Sequence, residues 1–146
     1  MNVDAIASKQ AVTVPVGASL EEVAKQMLQS SVGAVVVTDS VDGRTVVAGI
    51  LTDRDIVRAR LEHSSSLAAL NVADVMTRAP LLIDAEDSLA GAIRHLQARS
   101  VRRAPVVDRD GRLLGLISTD DVLAAIATEL AGLAQLVAQQ DRKRDG

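Results

Sequence analysis

Apolar and polar residues follow two alternating periods along this chain, and the order of the periods is written twice. A short apolar stretch, Val12–Val14, comes first. Leu20, Val23, Met27 and Leu28 then fall on one face at helical spacing. Ser19-Leu20-Glu21-Glu22 reads as a capping box at the start of that helix. Two β-rich runs, Ala34–Val37 and Val46–Leu51, flank Asp42-Gly43, a hairpin signal. A second helix is predicted after Thr52. The same order returns with Leu81–Ile83, a helix capped by Ser88 with Leu89, Ala92, Ile93 and Leu96 on one face, runs Ala104–Val107 and Leu113–Ile117 around Asp110-Gly111, and a closing helix after Ser118.

Ser19 matches Ser88 at an offset of 69, while Thr52 matches Ser118 and Asp55 matches Asp121 at an offset of 66. The alignment closes with one extra residue in the second copy near Arg99 to Arg103 and a hairpin loop four residues longer in the first. The repeats then run over 3–62 and 72–130, with a polar linker at 63–71 and a helix extension and solvated tail at 131–146. The lead-in Val72–Thr77 has its counterpart at Val3–Ser8, so it belongs to the repeat as well. A β-α-β-β-α unit alone leaves an apolar sheet face open. The predicted fold is therefore α/β (α+β): two such units packed about a pseudo-twofold axis, as one globule. Val122, Leu123, Ile126, Leu130, Leu133, Leu136 and Val137 extend the last helix to about 20 residues, ~30 Å. That is more than one half can cover, and its end is expected to pack on the N-terminal segment or on a second subunit.

Composition narrows the chemistry. The 146 residues are 48% hydrophobic and contain no Phe, Trp or Tyr, so the core is aliphatic. Bases cannot be stacked on aromatic rings here, and a net charge of −3 disfavours a nucleic-acid backbone. With no cysteine there is no thiol chemistry or Cys-ligated zinc. His63 and His95 lack metal-ligand spacing, so no metal is expected. No apolar run reaches the ~20 residues of a membrane span and no signal peptide is visible, so the expectation is a cytoplasmic protein without a membrane role.

Each copy ends its last strand in a hydroxyl residue, with an aspartate three places on: Gly49-Ile50-Leu51-Thr52-Asp53-Arg54-Asp55 and Gly115-Leu116-Ile117-Ser118-Thr119-Asp120-Asp121. One reading is a pure helix cap. The other is a ligand site, since a strand ending at a helix N-terminus offers backbone N–H groups to phosphate. The hydroxyl adds a donor and the aspartate can accept from two ribose hydroxyls. The two roles can coexist. Arg102 and Arg103, with Arg99, flank the second junction and Arg54 the first; they are either solvated charge or phosphate contacts. Asp53 and Asp55, like Asp120 and Asp121, face apart, and no nucleophile-base set is present, so no catalytic residue is assigned.

These junctions, the lead-in Asp74-Val75-Met76-Thr77 and the run Val101-Arg102-Arg103-Ala104-Pro105-Val106-Val107-Asp108 with Asp110-Gly111 resemble a tandem pair of CBS domains, a Bateman module, over nearly the whole chain. The resemblance implies a regulatory module that binds an adenine nucleotide (AMP, ADP or ATP), or another adenosyl ligand, in clefts between the copies. Thr52 and Ser118 would meet phosphate, and Asp55 and Asp121 ribose. The adenine would lie among apolar side chains and pair with backbone near Ala34-Val35-Val36 or Ala104-Pro105-Val106. It also implies a homodimer, no tightly bound cofactor, and an effector protein on a separate chain. The rival is a structural, dimerising module with degenerate clefts. Within this pattern the first copy places Val35 where the second has Pro105 and carries the longer hairpin, so its cleft is expected either to differ from the second or to be closed.

Overall fold

The computed structural model describes residues 1–145, in the order α1 (Val3–Ile6), β1 (Thr13–Pro15), α2 (Leu20–Ser30), β2 (Ala34–Val41), β3 (Arg44–Thr52), α3 (Asp53–Glu62), α4 (Val72–Val75), β4 (Thr77–Arg78), β5 (Ile83–Asp84), α5 (Leu89–Arg99), β6 (Arg103–Val107), β7 (Leu113–Ser118) and α6 (Thr119–Asp145). One sheet runs β1-β2-β3-β4 and the other β5-β6-β7. In both, the first pair is parallel and the second antiparallel.

Local chemistry explains the element ends. Ser19 Oγ accepts from Glu22 N–H while Glu22 Oε2 accepts from Ser19 N–H, closing the predicted capping box. Ser31 and Ser100 end α2 and α5 in the left-handed region, at φ 54° and 52°. Asp42 and Gly43 both take positive φ between paired Val41 and Arg44, the two-residue turn that suits a twisted hairpin. Leu28, expected on the apolar face of α2, is instead exposed.

The strand registers correct the alignment of the copies. Ala34 pairs with Thr52 and Arg103 with Ser118, while Val37 pairs with Gly49 and Val106 with Gly115. The offset is therefore 69 through β2 and β6 and 66 from β3 and β7 onward. No residue is inserted near Arg99 to Arg103; the hairpin alone absorbs the difference, and it is three residues longer in the first copy. Val36, not Val35, is the counterpart of Pro105: they pair with Ile50 and Leu116.

The aliphatic core forms two clusters, and the lead-ins cross between them. Val3 and Ala7, from the start of the first copy, lie with Ile83, Ala92, Val106 and Ile117. Val72 and Met76, from the start of the second, lie with Leu20, Val23, Val37 and Leu51. The backbone follows the same exchange. Val3 N–H donates to Asp87 O and Ser8 exchanges two bonds with Leu116, while Leu20 N–H donates to Leu70 O and β4 pairs with β3. The segment expected as a polar linker is thus partly docked: Leu67 and Leu70 pack against the first core.

This crossing explains the glycine of each junction motif. A Cβ on Gly49 would stand 2.7 Å from Thr77 O, and one on Gly115 would run into Ser8 O. Only glycine lets the lead-in of the other copy pass this close.

α6 departs furthest from expectation. It is 27 residues long and helical through Asp145, so the helix runs past the ~20 residues expected and on into the end of 131–146 expected as a solvated tail; Gly146 lies outside the described residues. Its stretch Thr119–Arg144 is long and apolar enough, by length and composition, to cross a membrane, although little of it is buried. Thr128, Glu129 and Gln135 interrupt its apolar residues, which is why no continuous apolar run stands out in the sequence.

Candidate functional site

A cleft of about 360 Å³ opens where the two copies meet. One wall is the first junction, Ile50 and Thr52 to Asp55; the other brings Pro80, Leu81, Arg99, Val101, Arg102 and Arg103 from the second copy. Thr52, Arg54, Asp55, Arg102 and Arg103 are therefore brought together in one cleft. This corrects the expected assignment of Arg54 to one cleft and the remaining arginines to the other. Arg102 does touch the second junction, where its carbonyl accepts from Thr119 N–H, but its side chain lines the cleft of the first.

At this junction, Thr52 Oγ1 accepts from Asp55 N–H at 3.2 Å, and Asp55 Oδ2 accepts from Thr52 N–H at 2.9 Å. The cap is fully formed. Asp53 N–H donates to Gly33 O and Arg54 N–H to Asp53 Oδ1, so all three N–H groups of the first turn are engaged. The first-turn N–H groups, expected to be offered to a phosphate, are satisfied within the protein. The remaining donors are side chains. A hydroxyl that accepts one bond still has its own proton to give, and the guanidiniums supply forked donors. Among the described residues, Arg54, Arg99, Arg102 and Arg103 form no ion pair. Arg103 Nη1 and Asp53 Oδ2 both reach the space before Gly33, within 4 Å of where a Cβ would sit. Asp55 Oδ1 lies 3.7 Å from Arg58 Nη1, and the carboxylate is 18% exposed, which leaves it lone pairs for a ligand hydroxyl.

The apolar lining of this cleft is Ile50, Pro80, Leu81 and Val101. Sequence reasoning passed over these four; they come together only because the second copy's lead-in crosses to the first copy, which it did not foresee. Ala34, Val36, Ala104, Pro105 and Val106, expected near the adenine, are buried strand residues whose side chains do not line the cleft. They sit in β2 and β6, the strands flanked on both sides; Ala104 and Val106 face the second core, whereas Ala34, Val36 and Pro105 are buried on the strand faces opposite the core residues Val35, Val37, Ala104 and Val106.

The second junction carries the same cap: Ser118 Oγ accepts from Asp121 N–H at 3.2 Å and Asp121 Oδ2 from Ser118 N–H at 3.0 Å. Its surroundings differ. Asp121 borders an open depression with Met1, Ala5, Ile6, Thr128 and Glu129. A third depression, about 460 Å³, gathers Asp4, Asp84, Glu86, Asp108 and Asp110 around Arg109. The hydrogen bond from Arg109 to Glu86, and the charge of Glu86, raise the arginine's pKa. That surface is predominantly acidic, whereas the cleft at Thr52 gathers four arginines with Asp53 and Asp55.

A family model described as CBS domain matches residues 3–62 and 72–128. The uncharacterized protein YlbB of Bacillus subtilis is 33% identical over 128 residues, 86% of this chain and 83% of YlbB. The solved CBS-domain containing protein ATU1752 from Agrobacterium tumefaciens is 31% identical at a TM-score of 0.72, covering 85% of this chain and 92% of that one. CBSX2, solved in complex with AMP, is 25% identical at a TM-score of 0.72, covering 87% and 96%. Other curated relatives are longer: the chain spans 61% of one and 51% of another.

Proposed function

Because the chain belongs to the CBS-domain family and carries that domain twice, we propose that it is a regulatory module that binds one adenine nucleotide per chain, in the cleft between Thr52–Asp55 and Arg99–Arg103. The observation that carries this reading is the convergence of Arg54, Arg99, Arg102 and Arg103 on one cleft that also holds a spare hydroxyl and a partly exposed carboxylate. Four guanidiniums suit more than one phosphate, so ADP and ATP bind more tightly than AMP. The Thr52 hydroxyl and the arginines hold phosphate, Asp55 accepts from ribose hydroxyls, and Ile50, Pro80, Leu81 and Val101 offer an aliphatic slot for the base. Similarity to CBSX2, which was solved with AMP, supports the ligand class. Occupancy ties the two copies together across the cleft, and this is the signal passed to an effector. The reaction assigned is binding, not turnover.

Titration calorimetry with AMP, ADP, ATP, NAD and S-adenosylmethionine tests this. The expected result is one site per chain, lost in Asp55→Ala and kept in Asp121→Ala. In thermal unfolding, a nucleotide at 100 times its Kd adds about 2.7 kcal/mol. Absence of binding by any of them at millimolar concentration favours the second reading, a structural module, which the fully formed caps at both junctions support.

A further inference from the structure

We propose that α6 is an antiparallel pairing helix whose partner is α6 of a second copy of this chain. Leu123, Ile126, Leu130, Leu133 and Val137 follow one another at steps of three, four, three and four, the heptad seam of a coiled coil. All five are exposed, by 37% to 63%. The chain's own N-terminal segment does not cover them, because Ala5 and Ile6 meet α6 on another face, at Ala124, Ala125 and Thr128. Toward the globule the seam runs into an apolar groove of about 410 Å³ between α5 and α6, lined by Ile93, Leu96, Val101 and Val122 as well as Leu123 and Ile126. A second helix laid along the seam would cover the mouth of that groove.

Charge selects the occupant and its direction. α6 begins with Asp120 and Asp121 and ends with Arg142, Lys143 and Arg144. When Leu130 of one helix faces Leu133 of an antiparallel copy, Ile126 faces Val137, and Asp120 and Asp121 come level with the partner's Lys143 and Arg142. A parallel copy would set the basic ends against each other. A bilayer fits less well, since a spanning helix is apolar all round, whereas Thr128, Glu129, Gln135 and Gln139 lie off this seam and Val122 is buried in the globule.

The chain contains no cysteine, so introduced pairs report direction cleanly. Ile126→Cys and Val137→Cys chains are mixed under mild oxidation, beside each variant alone. The expected result is a disulfide-linked dimer from the mixture and none from either variant alone. In sedimentation equilibrium the unmodified chain is a dimer, and Leu130→Glu with Leu133→Glu weakens it by at least tenfold. Self-linking of the single variants, a monomer throughout the micromolar range, a dimer indifferent to Leu130→Glu with Leu133→Glu, or binding of α6 to anionic phosphatidylglycerol vesicles in place of dimerisation would each overturn the proposal.

Discussion

The two strand-to-helix junctions have the same cap and opposite electrostatics. Thr52 with Asp55 and Ser118 with Asp121 make the same pair of reciprocal bonds, to within 0.1 Å. The registers then identify what stands at corresponding places around them. Arg54 corresponds to Asp120, and Arg99, Arg102 and Arg103 correspond to Ser30, Gly33 and Ala34. Every arginine of the first cleft is matched at the second by a residue without positive charge. A cap is thus common to both junctions, and the four guanidiniums belong to one side only. A hydroxyl-and-aspartate pair tells where a helix begins; the charge facing it from the other copy tells whether an anion can bind.

The sharpest way to break this comparison is to discharge the basic cleft. Arg102→Ala with Arg103→Ala removes two charge-assisted contacts of ~1.5–3 kcal/mol each, so nucleotide affinity measured by calorimetry falls by about 100-fold or more. The same measurement on Ser30→Ala, the counterpart of Arg99, shows no change. Next in size are the crossing glycines. Gly115→Ala drives a methyl into Ser8 O and costs ~1–3 kcal/mol, seen as a midpoint several degrees lower in dye-monitored unfolding. Gly49→Ala behaves alike, because both junctions need the passage. Smaller still, Thr52→Ala and Ser118→Ala each lose a cap worth about 1 kcal/mol of stability, but Thr52→Ala alone weakens nucleotide binding. If both weaken it equally, the two clefts are equivalent after all. Raising salt from low to physiological ionic strength, the mildest perturbation, lowers affinity severalfold through screening of the exposed guanidiniums.

Much of this was written in the chain. The duplicated order of elements, the Ser19 and Ser88 caps and the Asp42-Gly43 turn depend on residues close in sequence, and local rules read them correctly. The candidate junction residues were legible for the same reason. What lay hidden was long-range. Nothing in Val3–Ser8 or Asp74–Thr77 announces that each packs on the other copy, so the grouping of Arg54 with Arg102 and Arg103 stayed out of reach. The state of the first-turn N–H groups of α3 depended on Gly33 O, a partner twenty positions away. Ala34 and Ala104 drew notice as the starts of apolar strands, the very property that buries them.

The exchange of lead-ins has a consequence for how such a molecule can be divided. Cut between the copies, each fragment would keep the plug made for its sibling and lack the one its own core requires. A lone copy could be completed only by trading that segment with a second molecule, an association that fails on dilution. Joining the two copies in one polypeptide holds each plug near its socket at a fixed, high effective concentration. The duplication therefore did more than double a site: it turned a bargain between molecules into a property of one chain.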